Sequence, residues 1–517
     1  MTTKTRAFVC IALLLAALTF RLGLAVGFPN DEPDDARFYT LLARNVLLHG
    51  VYSGASAPPL TPTYVRVPGY PLLIATIYRV FGVNNNTAVR VAQALVDTAC
   101  CWSIACLALA LVPRAWPPSR RRRVQCAALG LAAVCPFAAV YVTTLLTEVL
   151  AIALGTTIAW CASRATTGEG NGAGGRGWRR DGAWWFATGL AGGALTIVRP
   201  EGGLLMAGAG AGLVLVCVRL WRTGSMGPSG ALRHLIRCGG VLVVGFLVCD
   251  GPWMVRNARV FGTIQAAAPP LVAMPGDYVT TGYARWLRTW VNHPRFVGPF
   301  EFDQDRARFS VDQLPPWACD SPDERRRVAE MFAIYNDGVP GRQASGPRAP
   351  GEPVGVTPDL DAQFGALAAE RIGRQRLRYY VWLPVERIFW MWAGPHSQYY
   401  PFDGDLLPLA SLDRSTHQHI WLPLFALLTL VWTVVGLAGL LRLAREPASR
   451  MGLLVIALLV VPRLALLGSM ENPEPRYLVE LFPFLSALGG VAIGSLWSRW
   501  ADRDAASVER TRTCTTG

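Results

Sequence analysis

Apolar runs about as long as a bilayer core is thick recur along this chain, and the loops between alternate runs are loaded with arginine. A hydrocarbon core of about 30 Å takes roughly 20 helical residues to cross. Inside it every backbone N–H and C=O must be satisfied within the segment itself. These two demands confine the chain to an α-helical multi-pass membrane protein. The charge content agrees, since only 16% of the 517 residues are charged, against about a quarter in soluble domains. A net charge of +14 would suggest nucleic acid in a soluble protein. Here the basic residues crowd into short loops, which is the positive-inside pattern, so the expected partner is the lipid bilayer and not nucleic acid.

Placing Lys4 and Arg6 on the cytoplasmic side predicts about ten spans, near 7–27, 88–112, 124–143, 145–163, 183–198, 202–218, 238–255, 419–441, 451–468 and 477–496. Both termini then lie inside. The inner loops hold Arg114 with Arg120 to Arg123, then Arg164 with Arg176, Arg179 and Arg180, then Arg219, Arg222, Arg233 and Arg237, and last Arg442, Arg445 and Arg450. Lys4 and Arg6 ahead of Phe8–Phe20 resemble the start of a signal peptide. No small-x-small cleavage site follows, and the expectation is an uncleaved first span with Arg21 snorkelling outward. The cysteines fall mostly in or beside apolar runs, where thiols behave as small hydrophobes. Cys319 is isolated in the polar region, and no disulfide framework is expected.

The expected organisation is a transmembrane module over 1–255 with an outer loop at 28–87, an outer mostly helical domain over 256–418, further spans over 419–498, and a disordered inner tail over 499–517. The 28–87 loop carries two amphipathic stretches, Phe38 to Leu48 and Leu73 to Phe81, read as helices lying along the interface. In the outer domain, Ser321-Pro322-Asp323-Glu324 has the pattern of a capped helix start, and Thr357-Pro358-Asp359 begins a second helix. The aromatic segment Tyr379–Trp392 reads as an interfacial helix.

Charged residues then gather on the outer face. Asp31, Glu32, Asp34 and Asp35 put four carboxylates into five positions just beyond the first span. Glu148 sits at the turn between the third and fourth spans, Arg199 and Glu201 at the turn between the fifth and sixth, Arg256 and Asn257 at the end of the seventh, and Glu471, Glu474, Arg476 and Tyr477 before the tenth. Ionisable groups at the edges of apolar spans are costly to keep and mark sites. Arginine forks match phosphate oxygens, and a carboxylate beside a hydroxyl removes its proton. A phosphate-bearing lipid that hands a group to a hydroxyl suits this set, with Arg256, Arg476 and Arg199 as phosphate contacts. Nothing in it demands a metal or cofactor. His417-x-His419 is the metal-like pair, and it reads as loop histidines.

Six motifs fall in order: Asp35-x-x-x-Tyr39 with Ala43-Arg44-Asn45; Arg66-x-Pro68-Gly69-Tyr70-Pro71; Thr147-Glu148; Arg199-Pro200-Glu201-Gly202; Pro252-Trp253-x-x-Arg256-Asn257 with Phe261-Gly262; and Glu474-x-Arg476-Tyr477. The ordered set resembles the GT-C superfamily of membrane glycosyltransferases, in the branch of bacterial proteins similar to protein mannosyltransferases and the lipid A aminoarabinose transferase. The resemblance implies an inner-membrane enzyme with a periplasmic active site. It implies a polyprenyl-phosphate-linked sugar donor, a glycolipid, glycan or protein acceptor, and a catalytic Asp in the first loop. Many relatives have Asp-Glu there. In this register Asp35 takes the Asp position and Ala36 the Glu position, while Asp34 adds an acid on the other side. Asp35 is the expected base with Asp34 in reserve, Glu148 orients the acceptor or the Asp-bearing loop, and Tyr39, Glu201, Asn257, Glu474 and Tyr477 support them. An oligosaccharide ligase or polymerase with a lipid-pyrophosphate donor is a second enzyme reading. A transporter or flippase is the reading from a different class; it predicts internal repeats and mid-span charges, and neither is evident.

Overall fold

A computed structural model describes residues 3–30, 34–166, 176–268, 273–274, 278–304, 307–339, 355–404, 406 and 416–515. Asp31 and Glu32 lie outside the described residues. In chain order the helices are α1 (Thr3–Gly27), α2 (Asp34–His49), α3 (Gly69–Phe81), α4 (Asn86–Leu111), α5 (Pro118–Ala133), α6 (Pro136–Ala139), α7 (Glu148–Thr166), α8 (Arg176–Thr196), α9 (Gly202–Arg222), α10 (Pro228–Phe261), α11 (Thr281–Leu287), α12 (Pro322–Gly338), α13 (Pro358–Arg374), α14 (Leu383–Ala393), α15 (Thr416–Ala444), α16 (Arg450–Ser469) and α17 (Phe482–Thr515). The chain divides into two compact units. One joins Met1–Ala268, Ser397–Pro462 and Val479–Gly517; the other joins Pro269–His396 and Arg463–Leu478. Residues 463–478 therefore belong with the second unit, although the sequence reading put them among the spans.

Among the described residues eight helices are long and apolar enough to cross a membrane, or nine if Pro118–Ala133 and Pro136–Thr143, bent by 48°, form one span. Proline at 136 cannot continue the hydrogen-bond ladder, which accounts for the break. A helix stands at each of the ten expected places. The one that falls short is α8, which opens on Arg179, Arg180 and Asp181 and is then rich in glycine. It is held by close packing. A Cβ on Gly189 would lie 2.0 Å from the Leu242 carbonyl oxygen, and one on Gly193 2.3 Å from that of Phe246. Small residues let two backbones approach where lipid supplies no hydrophobic drive.

Two expectations are corrected. Arg21 does not snorkel outward: it is 1% exposed, donates from Nε to Asp97 Oδ2 at 2.5 Å, and reaches the Ala133 and Ala132 carbonyls at 2.9 and 3.1 Å. An aspartate on α4 and the carbonyl end of α5 leave this cation better satisfied inside than at the surface. The stretch after Trp500 is not a disordered tail, since α17 runs on to Thr515. Residues 501–515 contain neither Gly nor Pro to stop it.

The 28–87 loop folds as the two expected helices. On α3 the buried face is Tyr70, Ile74, Ile77 and Tyr78, packed with Ala36 and Ala43 of α2, Val89 of α4, and Leu145 and Leu146. Val80 and Phe81, at the end of α3, are 69% and 63% exposed. The backbone N–H of Gly69 donates to the Ile197 carbonyl at 2.6 Å, and a Cβ there would lie 2.7 Å from the same oxygen. That contact ties the first loop to the turn carrying Arg199.

The second unit has an aromatic core that includes Tyr283, Trp286, Trp290, Phe300, Phe309, Phe332, Tyr335 and Phe364. Ser321 and Thr357 cap α12 and α13 as expected, accepting from the N–H groups of Glu324 at 3.1 Å and Leu360 at 3.4 Å. Arg371 is 3% exposed and joins Glu324 and Asp320, fastening α13 to the start of α12.

Candidate active site

The site is built in the first unit from three turns and one helix start. Asp34 and Asp35 open α2, where acids suit the positive end of the helix. Their environments differ. The Asp34 side chain is 83% exposed and only 3.9 Å from Arg37, whereas that of Asp35 is 30% exposed and accepts from Arg66 Nη2 at 2.9 Å. Arg66 is brought there by the loop between α2 and α3. Tyr52 fastens that loop, its hydroxyl donating to the Arg66 and Val67 carbonyls at 3.1 Å each.

One turn along α2, Tyr39 stands between two charged groups. It packs edge-on to Tyr70 with centroids 5.3 Å apart. Burial pushes its phenol well above the usual range, with Asp35 adding to the rise; Arg66, Glu148 and Arg199 also act on it. Tyr39 thus faces both the Asp35–Arg66 pair and a second cluster. In that cluster Arg199, 8% exposed, donates from Nε to Glu201 at 2.9 Å and from Nη1 to Glu148 at 3.3 Å, and lies 3.4 Å from Glu480. Three carboxylates on one guanidinium make this a net acidic knot. Glu148 is 2% exposed and starts α7.

Arg256 flanks the other side. Its Nη1 donates to the Thr63 carbonyl at 2.9 Å and to Asn257 Oδ1 at 2.8 Å. The guanidinium lies 4.8 Å from the Trp253 ring centre, 5.0 Å from that of Phe261 and 5.7 Å from that of Tyr52. Asn257 is fully buried and holds the Gln265 carbonyl at 3.2 Å. Burial raises the Tyr52 phenol; Tyr39 adds to the rise, while Arg256 and Arg66 oppose it. Tyr52 and Tyr39 therefore stand within the electrostatic reach of Arg256, Arg66–Asp35 and Glu148–Arg199.

Arg66 Nε and Glu148 Oε2 are among the polar atoms of this constellation that are buried without a hydrogen-bond partner among the described residues. Leaving such groups unmade is costly, and a donor and an acceptor left over in one constellation suit an incoming hydroxyl or phosphate.

The remaining site candidates lie in the second unit. Arg476 pairs with Glu474, at 3.4 Å through Nη2, and its guanidinium lies 5.3 Å from the Tyr477 ring centre. Glu471 is gripped by Arg288 at 2.5 and 3.1 Å. Glu301 faces Glu471 and Glu474, and its Oε2 is buried without a partner among the described residues. Burial and those two carboxylates push the Glu301 carboxyl up to about 8. Among the described residues no three His, Cys, Asp or Glu side chains converge as a metal site, and His417 has no described side chain.

Sequence reading singled out Asp35, Tyr39, Glu148, Arg199, Glu201, Arg256 and Asn257, and the structure brings all of them into the first unit. It assigned no role to Arg66, although the residue was quoted in a motif, and it missed Glu480. A carboxylate inside the otherwise apolar run 477–496 was the available signal for Glu480. Asp250 was passed over in the same way: it lies in α10, fully buried, with both carboxylate oxygens unpartnered among the described residues.

Comparison with protein-family models finds no match, and neither does comparison with the curated proteins. Similar solved structures include the following three. The archaeal oligosaccharyltransferase AglB from Archaeoglobus fulgidus, in complex with an inhibitory peptide and a dolichol-phosphate, is 14% identical over 97% of this chain and 52% of its own, with a TM-score of 0.48. ArnT from Cupriavidus metallidurans bound to undecaprenyl phosphate is 16% identical over 96% and 79%, with a TM-score of 0.38. The arabinosyltransferase EmbB from Mycobacterium smegmatis is 12% identical over 96% and 42%, with a TM-score of 0.32. The chain spans about half the length of the oligosaccharyltransferase.

Proposed function

We propose that this membrane protein is an inverting GT-C glycosyltransferase that moves a sugar from a polyprenyl-phosphate donor to an acceptor hydroxyl on the periplasmic side of the inner membrane. The observation that carries the reading is the pairing of a half-buried Asp35 with Arg66, beside Tyr39 and the Glu148–Arg199 knot, with Arg256 on the far side. The ordered motifs that resemble the superfamily supply those same residues.

In this reading Asp35 takes the proton of the acceptor hydroxyl as the oxygen attacks the anomeric carbon. The bond from that carbon to the phosphate oxygen breaks on the opposite face, so the configuration inverts. The donor phosphodiester carries one negative charge and leaves as a monoester carrying a second. Arg256, whose Nη1 is already engaged on the loop, offers its remaining N–H groups to that phosphate. A contact that tightens as charge develops lowers the barrier. Arg66 holds Asp35 in register, and its buried Nε is available to the leaving oxygen. Glu148, braced by Arg199, has one free carboxylate oxygen to orient a hydroxyl of the acceptor.

The test is transfer by the purified chain from a panel of polyprenyl-phosphate sugars. Asp35→Asn is expected to lose about 10²- to 10⁴-fold in rate, the usual worth of a general base. Asp34→Asn, on an exposed side chain, should stay within about twofold. Full activity in Asp35→Asn removes it as the base. No transfer from any lipid-phosphate sugar, with transfer from a lipid-pyrophosphate donor, moves the protein to the ligase reading.

A further inference from the structure

The loop that carries Arg66 to Asp35 ends at Tyr70, and Tyr70 is tied to a buried amide that the reaction scheme leaves out. The Tyr70 hydroxyl donates to Gln93 Oε1 of α4 at 2.5 Å. Gln93 Nε2 donates in turn to the Thr144 carbonyl at 2.9 Å and to the Tyr141 carbonyl at 3.4 Å. Those carbonyls belong to the segment that leads into Glu148 at the start of α7. The same segment holds the chain leaving α1, since the Asn30 N–H donates to the Thr143 carbonyl at 3.0 Å. Next to Tyr70, Gly69 is bonded to the Ile197 carbonyl, just before Arg199. The start of α3 is thus fastened by its backbone to the Arg199 turn and by one side chain to the Glu148 turn.

Gln93, Tyr70, Tyr141 and Thr144 are all buried, so water cannot replace a bond lost among them. The joint asks one side chain for an acceptor and two donors on a single plane. An ionised carboxylate only accepts, and a hydroxyl has one proton to give. An amide has both, with its oxygen for the phenol and its two N–H groups for the carbonyls. A polar group inside a membrane-length helix is costly to keep without such partners. The bond also fixes the Tyr70 ring, against which Tyr39 packs edge-on.

We propose that Gln93 is a positioning residue of the candidate active site, whose amide sets the spacing between the Asp35–Arg66 pair and the Glu148–Arg199 cluster. It acts through Tyr70 and the Tyr141–Thr144 segment. The proposal rests on the reading of those charged residues as the transfer site. A base and the group that orients its hydroxyl work only at close to one separation, and an error of about 1 Å costs on the order of 10²-fold in rate. Arg256, the proposed donor contact, is anchored elsewhere, on the Thr63 carbonyl and Asn257. Loss of the joint should therefore slow the chemistry and leave donor binding alone.

The experiment measures transfer by the purified full-length chain. Gln93→Met is expected to lower kcat roughly 10- to 100-fold with the donor KM within about twofold. Tyr70→Phe breaks the same bond from the other side and should add little in the Gln93→Met background, because the two residues act as one unit. Thr156→Val is the control for plain destabilisation. Thr156 of α7 meets Cys100 of α4 at 3.8 Å, further along the same helix pair, and its loss should lower the unfolding midpoint but not kcat. Hydrogen exchange gives a readout independent of transfer: Gln93→Met should speed exchange in 66–72 and 141–148 together. Wild-type kcat in Gln93→Met, an equal loss in Thr156→Val, or faster exchange in only one of the two segments overturns the proposal. A wild-type chain that transfers no sugar sinks the transferase reading alone, and exchange then decides whether Gln93 joins the two segments.

Discussion

Arg199 was expected to hold a donor phosphate, yet its guanidinium already meets Glu148, Glu201 and Glu480. A fork so fully occupied is better suited to bracing the start of α7 than to gripping a new anion. A different kind of residue-level effect arises at Glu301. Its carboxyl rises to about 8 because it is buried beside Glu471 and Glu474, whereas a free glutamate titrates near 4.3. The folded form therefore holds a proton that the unfolded chain releases between those values. Glu301 contributes its full share of stability below about pH 4, and that share is lost as pH rises towards 8. The Glu301→Gln variant should flatten the fall in unfolding midpoint across that window and match the wild type near pH 4. A variant whose midpoint falls as steeply as the wild type would show that Glu301 titrates normally.

Helices in the first unit are matched by backbone contact more than by side-chain bulk. Gly439 of α15 is the tightest case, for a Cβ there would lie 1.8 Å from the Leu488 carbonyl oxygen of α17. The same economy lets α8 and α10 meet through Gly189, Gly193 and Gly245. Gly439→Ala should cost about 1–3 kcal/mol by forcing the two helices apart. Gly210→Ala, at a position with nothing within 4 Å of the added carbon, should be neutral or slightly stabilising. Thermal unfolding of both in the same detergent checks the pair, and equal midpoints would mean that α15 and α17 give way without cost.

Charge is unevenly distributed along the first unit: acids and arginines mix at the Glu148 end of α7, while the other end carries Arg164 near further arginines. If the arginine end is cytoplasmic, single cysteines placed at 34–66 in a cysteine-free background should react with an impermeant thiol reagent in intact cells. Those placed at 114–122 should be protected until the membrane is opened. The reverse pattern would overturn both the topology and the periplasmic chemistry. Much of this was legible from the sequence alone. Ten helices stand at the ten apolar runs, because a segment in lipid has to satisfy its own backbone, and the two caps of the second unit follow from Ser321 and Thr357. Asp35, Glu148, Arg199, Glu201 and Arg256 could be picked out as candidates, because a charge at a span end is costly to keep. What remained hidden depends on partners distant in the chain. Arg21 looked like a snorkelling cation until Asp97 and the end of α5 were seen around it. Glu480 looked like part of a span until Arg199 was found beside it, and Arg66 gained its role only when the loop folded back onto Asp35. Hydrophobic length and charge sign are local properties and can be read along the chain. Which acid meets which arginine is decided by helix packing, and for that the tertiary structure was required.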